Sequence, residues 1–208
     1  MELTYSREEK LNAWSHGLGV VLSIPALVIL LLHYSGSAPY GTFALIVYGI
    51  SLFLLFSAST LYHLASQPKL KRQLRILDHI SIYMLIAGTY TPVSLIKLVE
   101  GNGWIIFWIV WLIALVGSVL KLFFTGKYEI LSLGLYLVMG WLIAFDLQNL
   151  LSSSSTLGIV LLALGGFCYT FGILFYAWQR IPHNHLIWHF FVLAGAISHW
   201  YYIYVDVI

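Results

Sequence analysis

Apolar residues run along this chain in seven long blocks divided by short polar breaks. The blocks lie near 14–34, 40–64, 76–98, 103–124, 129–150, 156–178 and 185–206. Each holds about 20 residues or more, enough to cross a hydrocarbon core of about 30 Å as an α-helix. The fourth and fifth blocks are parted only by Thr125-Gly126-Lys127-Tyr128, where the Gly and Lys mark a turn. Residues 1–13 are polar and read as a short amphipathic lead-in. The pattern predicts an all-α integral membrane protein with one domain over 1–208, built of seven transmembrane helices.

The basic residues orient it. Arg7, Lys10, Lys69, Lys71, Arg72, Arg75, Lys121, Lys127 and Arg180 all fall at the membrane face of the N-terminus, and only Lys97, near Glu100, falls at the other. The opposite breaks, such as Ser35–Pro39 and Ser152–Ser155, are short and uncharged. The positive-inside rule then predicts a cytoplasmic N-terminus and an extracytoplasmic C-terminus in the cell's inner (plasma) membrane.

Composition agrees. The chain has 208 residues, 61% of them hydrophobic and 9% charged, against about 25% charged in soluble domains. A net charge of +2 gives no reason to expect a nucleic-acid partner. The single cysteine, Cys168, excludes an intrachain disulfide and a thiolate-rich metal site. No cleavage site is convincing after the first apolar block, so that block is expected to remain in the mature protein. Gly17, Gly19, Gly134, Gly140, Gly165, Gly166 and Gly172 read as small helix-contact surfaces. Pro25 and Pro92 read as potential kinks.

Against this background, ionisable groups inside the blocks stand out, because each is expensive in a bilayer. His63 ends block two, with Ser59 one turn deeper on the same face. Asp78 and His79 open block three. His185 and His189 open block seven, four residues apart and so one turn apart on one face. His16 opens block one. The topology carries all of these to one membrane face and one depth. His63, His185 and His189 would make a three-nitrogen zinc site with one position left for water. Such a site lowers the pKa of its water to about 7. Asp78 would take the proton, and Ser59 would support the site or position a substrate carbonyl. Each residue alone also has a plainer reading. The His pair can be a packing pair, His63 an interhelical donor, Asp78 a helix cap or partner of Arg75, and His16 an interface residue. His79 and His183 read as loop or headgroup residues, His33 as interfacial, and His199 as a buried hydrogen-bond partner. Asp146, Gln148 and Asp206 fall toward the other face.

Three motifs together resemble the bacterial hemolysin III family, within the broader progestin and adipoQ receptor family. They are Glu9-x-x-Asn12-x-x-x-His16, then Ser59-x-x-x-His63 followed by Asp78, and His185-x-x-x-His189 with His199 beyond it. The resemblance runs from about residue 8 to 205. It implies a seven-helix fold with a cytoplasmic N-terminus. It implies zinc on His63, His185 and His189, Asp78 beside the zinc-bound water, and Ser59 near it. It also implies ceramidase-like hydrolysis of a lipid amide. The chain lacks the long N-terminal region of the animal receptors, which puts protein-hormone binding in doubt. The leading expectation is a zinc-dependent hydrolase of a membrane lipid amide or ester. The alternatives are a membrane-state sensor with structural zinc, in which Asp78 or His16 fills the fourth place, a cytolytic pore, and a proton-handling transporter.

Overall fold

A bilayer offers no water to backbone N–H and C=O groups, so a spanning segment must pair them internally. The apolar blocks of this chain do so as helices. A computed structural model describes residues 2–36 and 38–208, with side chains from residue 7 onward. Met1 and Ser37, which fall in the expected lead-in and the first outer break, lie outside the described residues. Seven helices are long and apolar enough to cross a membrane, and the described residues contain no strand. They are α1 (Glu2–His33), α2 (Gly41–Leu64), α3 (Pro68–Pro92), α4 (Gly103–Phe124), α5 (Glu129–Ser153), α6 (Thr156–Ala177) and α7 (Asn184–Tyr202). The polar lead-in is continuous with α1 from Glu2.

Local sequence sets the ends. Pro68 opens α3, where its missing N–H costs nothing. This helix therefore starts eight residues before the expected apolar block, and its first turns carry Lys69, Lys71, Arg72 and Arg75. Ser155 caps α6, its hydroxyl accepting from the Gly158 N–H at 3.0 Å. Pro25 sits within an unbroken α1. Pro92 closes the regular part of α3, and a π-helical turn, Val93–Lys97, follows.

The helices close into a bundle in which α1 packs on α2 and α7, α3 on α2, α4 and α5, and α6 on α7. The two least apolar spans, α3 and α7, are among the three most buried, with α2. Polar side chains thus face inward. Outward, α1, α4, α5 and α6 display large apolar side chains such as Trp14, Leu32, Trp108, Phe123 and Phe145. Such a surface is stable only against lipid.

Helix α5 breaks into a 3₁₀ turn at Leu142–Asp146. The break frees backbone groups inside the bundle, and Tyr90 of α3 takes them up. Its hydroxyl accepts from the Ile143 N–H and donates to the Gly140 carbonyl, both at 2.9 Å. At the end of the break, Asp146 accepts from the Asn102 N–H at 2.8 Å and from its side-chain amide at 3.0 Å. Lys97 pairs with Asp206 rather than Glu100, donating to the Asp206 carbonyl at 2.7 Å. This pair ties the π-helical turn after α3 to the one after α7, Ile203–Val207.

Only some of the expected contact glycines meet a neighbour. A Cβ on Gly19 would overlap the Phe56 ring, and one on Gly165 the His199 ring. Gly134, Gly140 and Gly166 have no such neighbour within 4 Å, so they are not packing surfaces.

Candidate metal centre

The last turn of α2 and the first two turns of α7 meet beside α1 at the end of the bundle where the chain begins. His63, His185 and His189 converge there, each offering a ring nitrogen, with all three atoms within 4.8 Å of one another. Ring centres are 5.0 Å apart for His63 and His185, 5.0 Å for His63 and His189, and 4.6 Å for His185 and His189. Zinc–nitrogen bonds of about 2.0–2.1 Å would need each ring to move inward by no more than about 1 Å.

The hydrogen bonds say which nitrogens are free. His63 Nδ1 lies 3.1 Å from Glu9 Oε2. A carboxylate only accepts, so Nδ1 carries a proton, and in the neutral ring Nε2 is then the nitrogen with the lone pair. His189 Nδ1 lies 3.2 Å from the Asn12 carbonyl and 2.9 Å from Ser15 Oγ. The Ser15 hydroxyl is already donating to that carbonyl at 2.8 Å, so His189 Nδ1 is the donor to both. His63 Nε2 and His185 Nε2 are buried with no hydrogen-bond partner. Unmet polar atoms of this kind cost about 1–3 kcal/mol each. Convergent imidazoles, two of them with unpartnered Nε2 atoms, fit a zinc ion, and the donor set favours zinc over magnesium or calcium.

His16 is buried rather than interfacial and lies flat on His189, ring centres 3.6 Å apart and planes within 9°. The stack presents the face of His16, not its ring nitrogens, to His189. Both His16 nitrogens are without a partner.

Ser59 is buried one turn deeper than His63. Asp78 lies well inside α3, so it does not cap that helix. Its carboxyl interacts with the Ser59 hydroxyl and lies near His63. It does not belong to the three-nitrogen group. His79 is not a headgroup residue. It is buried, with Nδ1 3.8 Å from Glu129 Oε1 and its carbonyl bonded by Tyr136 at 3.0 Å. Glu129 also pairs with the buried Lys121 at 2.7 Å. His199 is a half-buried partner of the Leu162 carbonyl at 3.3 Å, far along α7 from the triad. Glu9 and Asn12 entered only through the motif they share with His16, one of those that carry the family resemblance, which assigned the two no contact. Ser15 carried no signal of its own, since a serine in a helix is unremarkable until its neighbour is known.

A family model described as Haemolysin-III related matches residues 4–200. Hemolysin-3 of Bacillus cereus is 44% identical over 194 residues, covering 92% of this chain and 88% of that protein. The Hemolysin-3 homolog of Bacillus subtilis is 45% identical over 196 residues, covering 92% and 91%. The human Monocyte to macrophage differentiation factor is 30% identical over 204 residues, covering 95% and 83%.

Proposed function

This chain belongs to the haemolysin-III related family, and on that premise we propose that it is an integral-membrane, zinc-dependent hydrolase of a lipid amide or ester. The observation that carries the reading is the convergence of His63, His185 and His189, two of them with buried, unpartnered Nε2 atoms. The parallel stack of His16 on His189 supports a fourth position left to solvent or substrate. The clustering of basic residues at the histidine end supports a site at the cytoplasmic face of the plasma membrane.

His63, His185 and His189 would hold the ion. The chemistry zinc supplies in such a site is Lewis-acid polarisation of a carbonyl and acidification of water toward neutral pH. Asp78 takes one proton from the attacking water as its oxygen bonds to the carbonyl carbon. The carbon–nitrogen or carbon–oxygen bond then breaks, and Asp78 returns the proton to the leaving amine or alcohol. Ser59, beside Asp78, holds that carboxyl toward the water. The acyl chain lies among the helices, and the headgroup enters from the membrane surface. Products are a fatty acid and an amine or alcohol.

The test begins with metal content. Purified wild type is expected to hold about one zinc per chain, lost in His63→Ala, His185→Ala and His189→Ala. Zinc-loaded wild type is then expected to cleave a member of a panel of lipid amides and esters, and Asp78→Asn to bind zinc but cleave nothing. Zinc retention without turnover across the panel would overturn the hydrolase reading. Absence of zinc from folded wild type would overturn the site.

A further inference from the structure

The Glu9 carboxylate lies where three helices meet, and one of its oxygens does two things. Oε2 accepts from His63 Nδ1 at 3.1 Å and from Lys71 Nζ at 2.7 Å. Glu9 belongs to α1, His63 to the end of α2, and Lys71 to the first turn of α3. We propose that Glu9 is the positioning residue of the metal centre. It fixes the tautomer and rotation of His63, and Lys71 fixes where the Glu9 carboxylate points. The inference rests on the metal reading above and deepens it.

The physical argument has three parts. An imidazole can bind a metal only through an unprotonated nitrogen, and the two tautomers place that nitrogen on opposite sides of the ring. The acceptor-only carboxylate selects Nδ1–H, which leaves Nε2 bare and pointed at His185 and His189. A negative partner on Nδ1 also raises the donor strength of Nε2, as carboxylate partners of metal-bound histidines do. Finally, the His63 side chain is nearly fully buried while Glu9 is partly open, with relative exposures of 3% and 17%. Among the described residues the hydrogen bond of this ring goes to the Glu9 carboxylate, which makes the carboxylate its anchor. His189 has a parallel anchor one turn along α1, the Asn12 carbonyl. Thus α1 contributes no ligand atom yet orients two of the three.

The experiment measures zinc affinity by competition with a chromophoric chelator, on detergent-purified full-length protein. The variants are Glu9→Ala, Glu9→Gln, Glu8→Ala and His63→Ala. Glu8 is the adjacent acid, and its carboxylate lies 3.4 Å from His183 rather than at a triad nitrogen. Glu9→Ala is expected to weaken zinc binding by about 10- to 100-fold. Glu9→Gln retains an oxygen acceptor for Nδ1–H and is expected to recover part of that loss. Glu8→Ala is expected to match wild type, and His63→Ala to lose the site. The cobalt(II)-substituted protein adds a second readout. Its visible ligand-field bands should shift in Glu9→Ala without a change of intensity class, because the ligands remain but one is reoriented. A purely structural Glu9 would lower thermal stability and leave both the zinc affinity and the cobalt spectrum unchanged. Affinity within twofold of wild type in both Glu9 variants, with His63→Ala inactive in binding, overturns this inference and leaves the metal site standing. No zinc binding by wild type overturns both. Should Glu9→Ala fail to fold, the Glu9→Gln affinity decides alone.

Discussion

The imidazole of His16 lies flat against that of His189, and neither His16 nitrogen finds a hydrogen-bond partner among the described residues. The ring serves its neighbour by contact, with Phe56 edge-on behind it at 5.2 Å.

His16→Phe should therefore be benign. It keeps a flat ring on His189 and removes two buried polar atoms that lack partners. Zinc content should stay at the wild-type level and thermal stability should not fall. His16→Ala should leave a hole between Phe56 and His189, at a cost on the order of the 2–5 kcal/mol seen for large-to-small core changes. Zinc analysis beside thermal unfolding in detergent checks both. Loss of zinc in His16→Phe would mean that a His16 nitrogen, not its face, serves the site.

Two buried tyrosines should respond oppositely to loss of one oxygen. The Tyr90 hydroxyl bridges the break in α5, so Tyr90→Phe leaves the Ile143 N–H and Gly140 carbonyl unpaired within the bundle. The expected cost is about 1–3 kcal/mol. Tyr48 is fully buried, and its hydroxyl has no partner, so Tyr48→Phe should be neutral or stabilising. Thermal midpoints of the two variants against wild type test the contrast. Equal destabilisation would refute it.

Gly165 and Gly166 are neighbours in sequence and opposites in the fold. A Cβ on Gly165 would come within 2.1 Å of the His199 ring, whereas one on Gly166 meets nothing within 4 Å. Gly165→Ala should destabilise by about 1–3 kcal/mol through overpacking. Gly166→Ala should be neutral or gain up to about 1 kcal/mol of helix propensity. Thermal scans of the pair settle the matter, and a larger loss at Gly166 would contradict the packing of α6 on α7.

That pair also shows what could be read from sequence. Seven apolar blocks stand out because a bilayer tolerates few other patterns. His63, His185 and His189 stand out because ionisable groups are rare in such blocks and the up-and-down topology brings them to one level. Rotation of each helix about its axis is not written as plainly. His79 adjoins Asp78 in sequence but turns toward Glu129 on α5. Gly134 and Gly140 resemble contact glycines but have no neighbour in reach of a Cβ. Glu9 sits amid a charged lead-in of Arg7, Glu8 and Lys10, where nothing in composition sets it apart from Glu8. Only the fold brings His63 to it.

Stability should depend on zinc, and the dependence should need the triad. His63 belongs to α2 and the other two histidines to α7, and both helices pack on α1. An ion shared by the three rings cross-links α2 to α7 across that seam and gives two orphaned Nε2 atoms a partner. Since the unfolded chain offers no preformed site, binding adds to folding free energy by mass action. That is about 2.7 kcal/mol when free zinc stands at 100 times its Kd, and about 4.1 kcal/mol at 1,000 times. Wild-type protein stripped with a chelator should unfold at a lower temperature and recover on stoichiometric zinc. His189→Ala should already unfold low and gain nothing from added zinc. Magnesium should not substitute in wild type, because nitrogen donors suit it poorly. A midpoint indifferent to chelator in wild type, or rising equally in wild type and His189→Ala, would show that zinc does not bind at this triad.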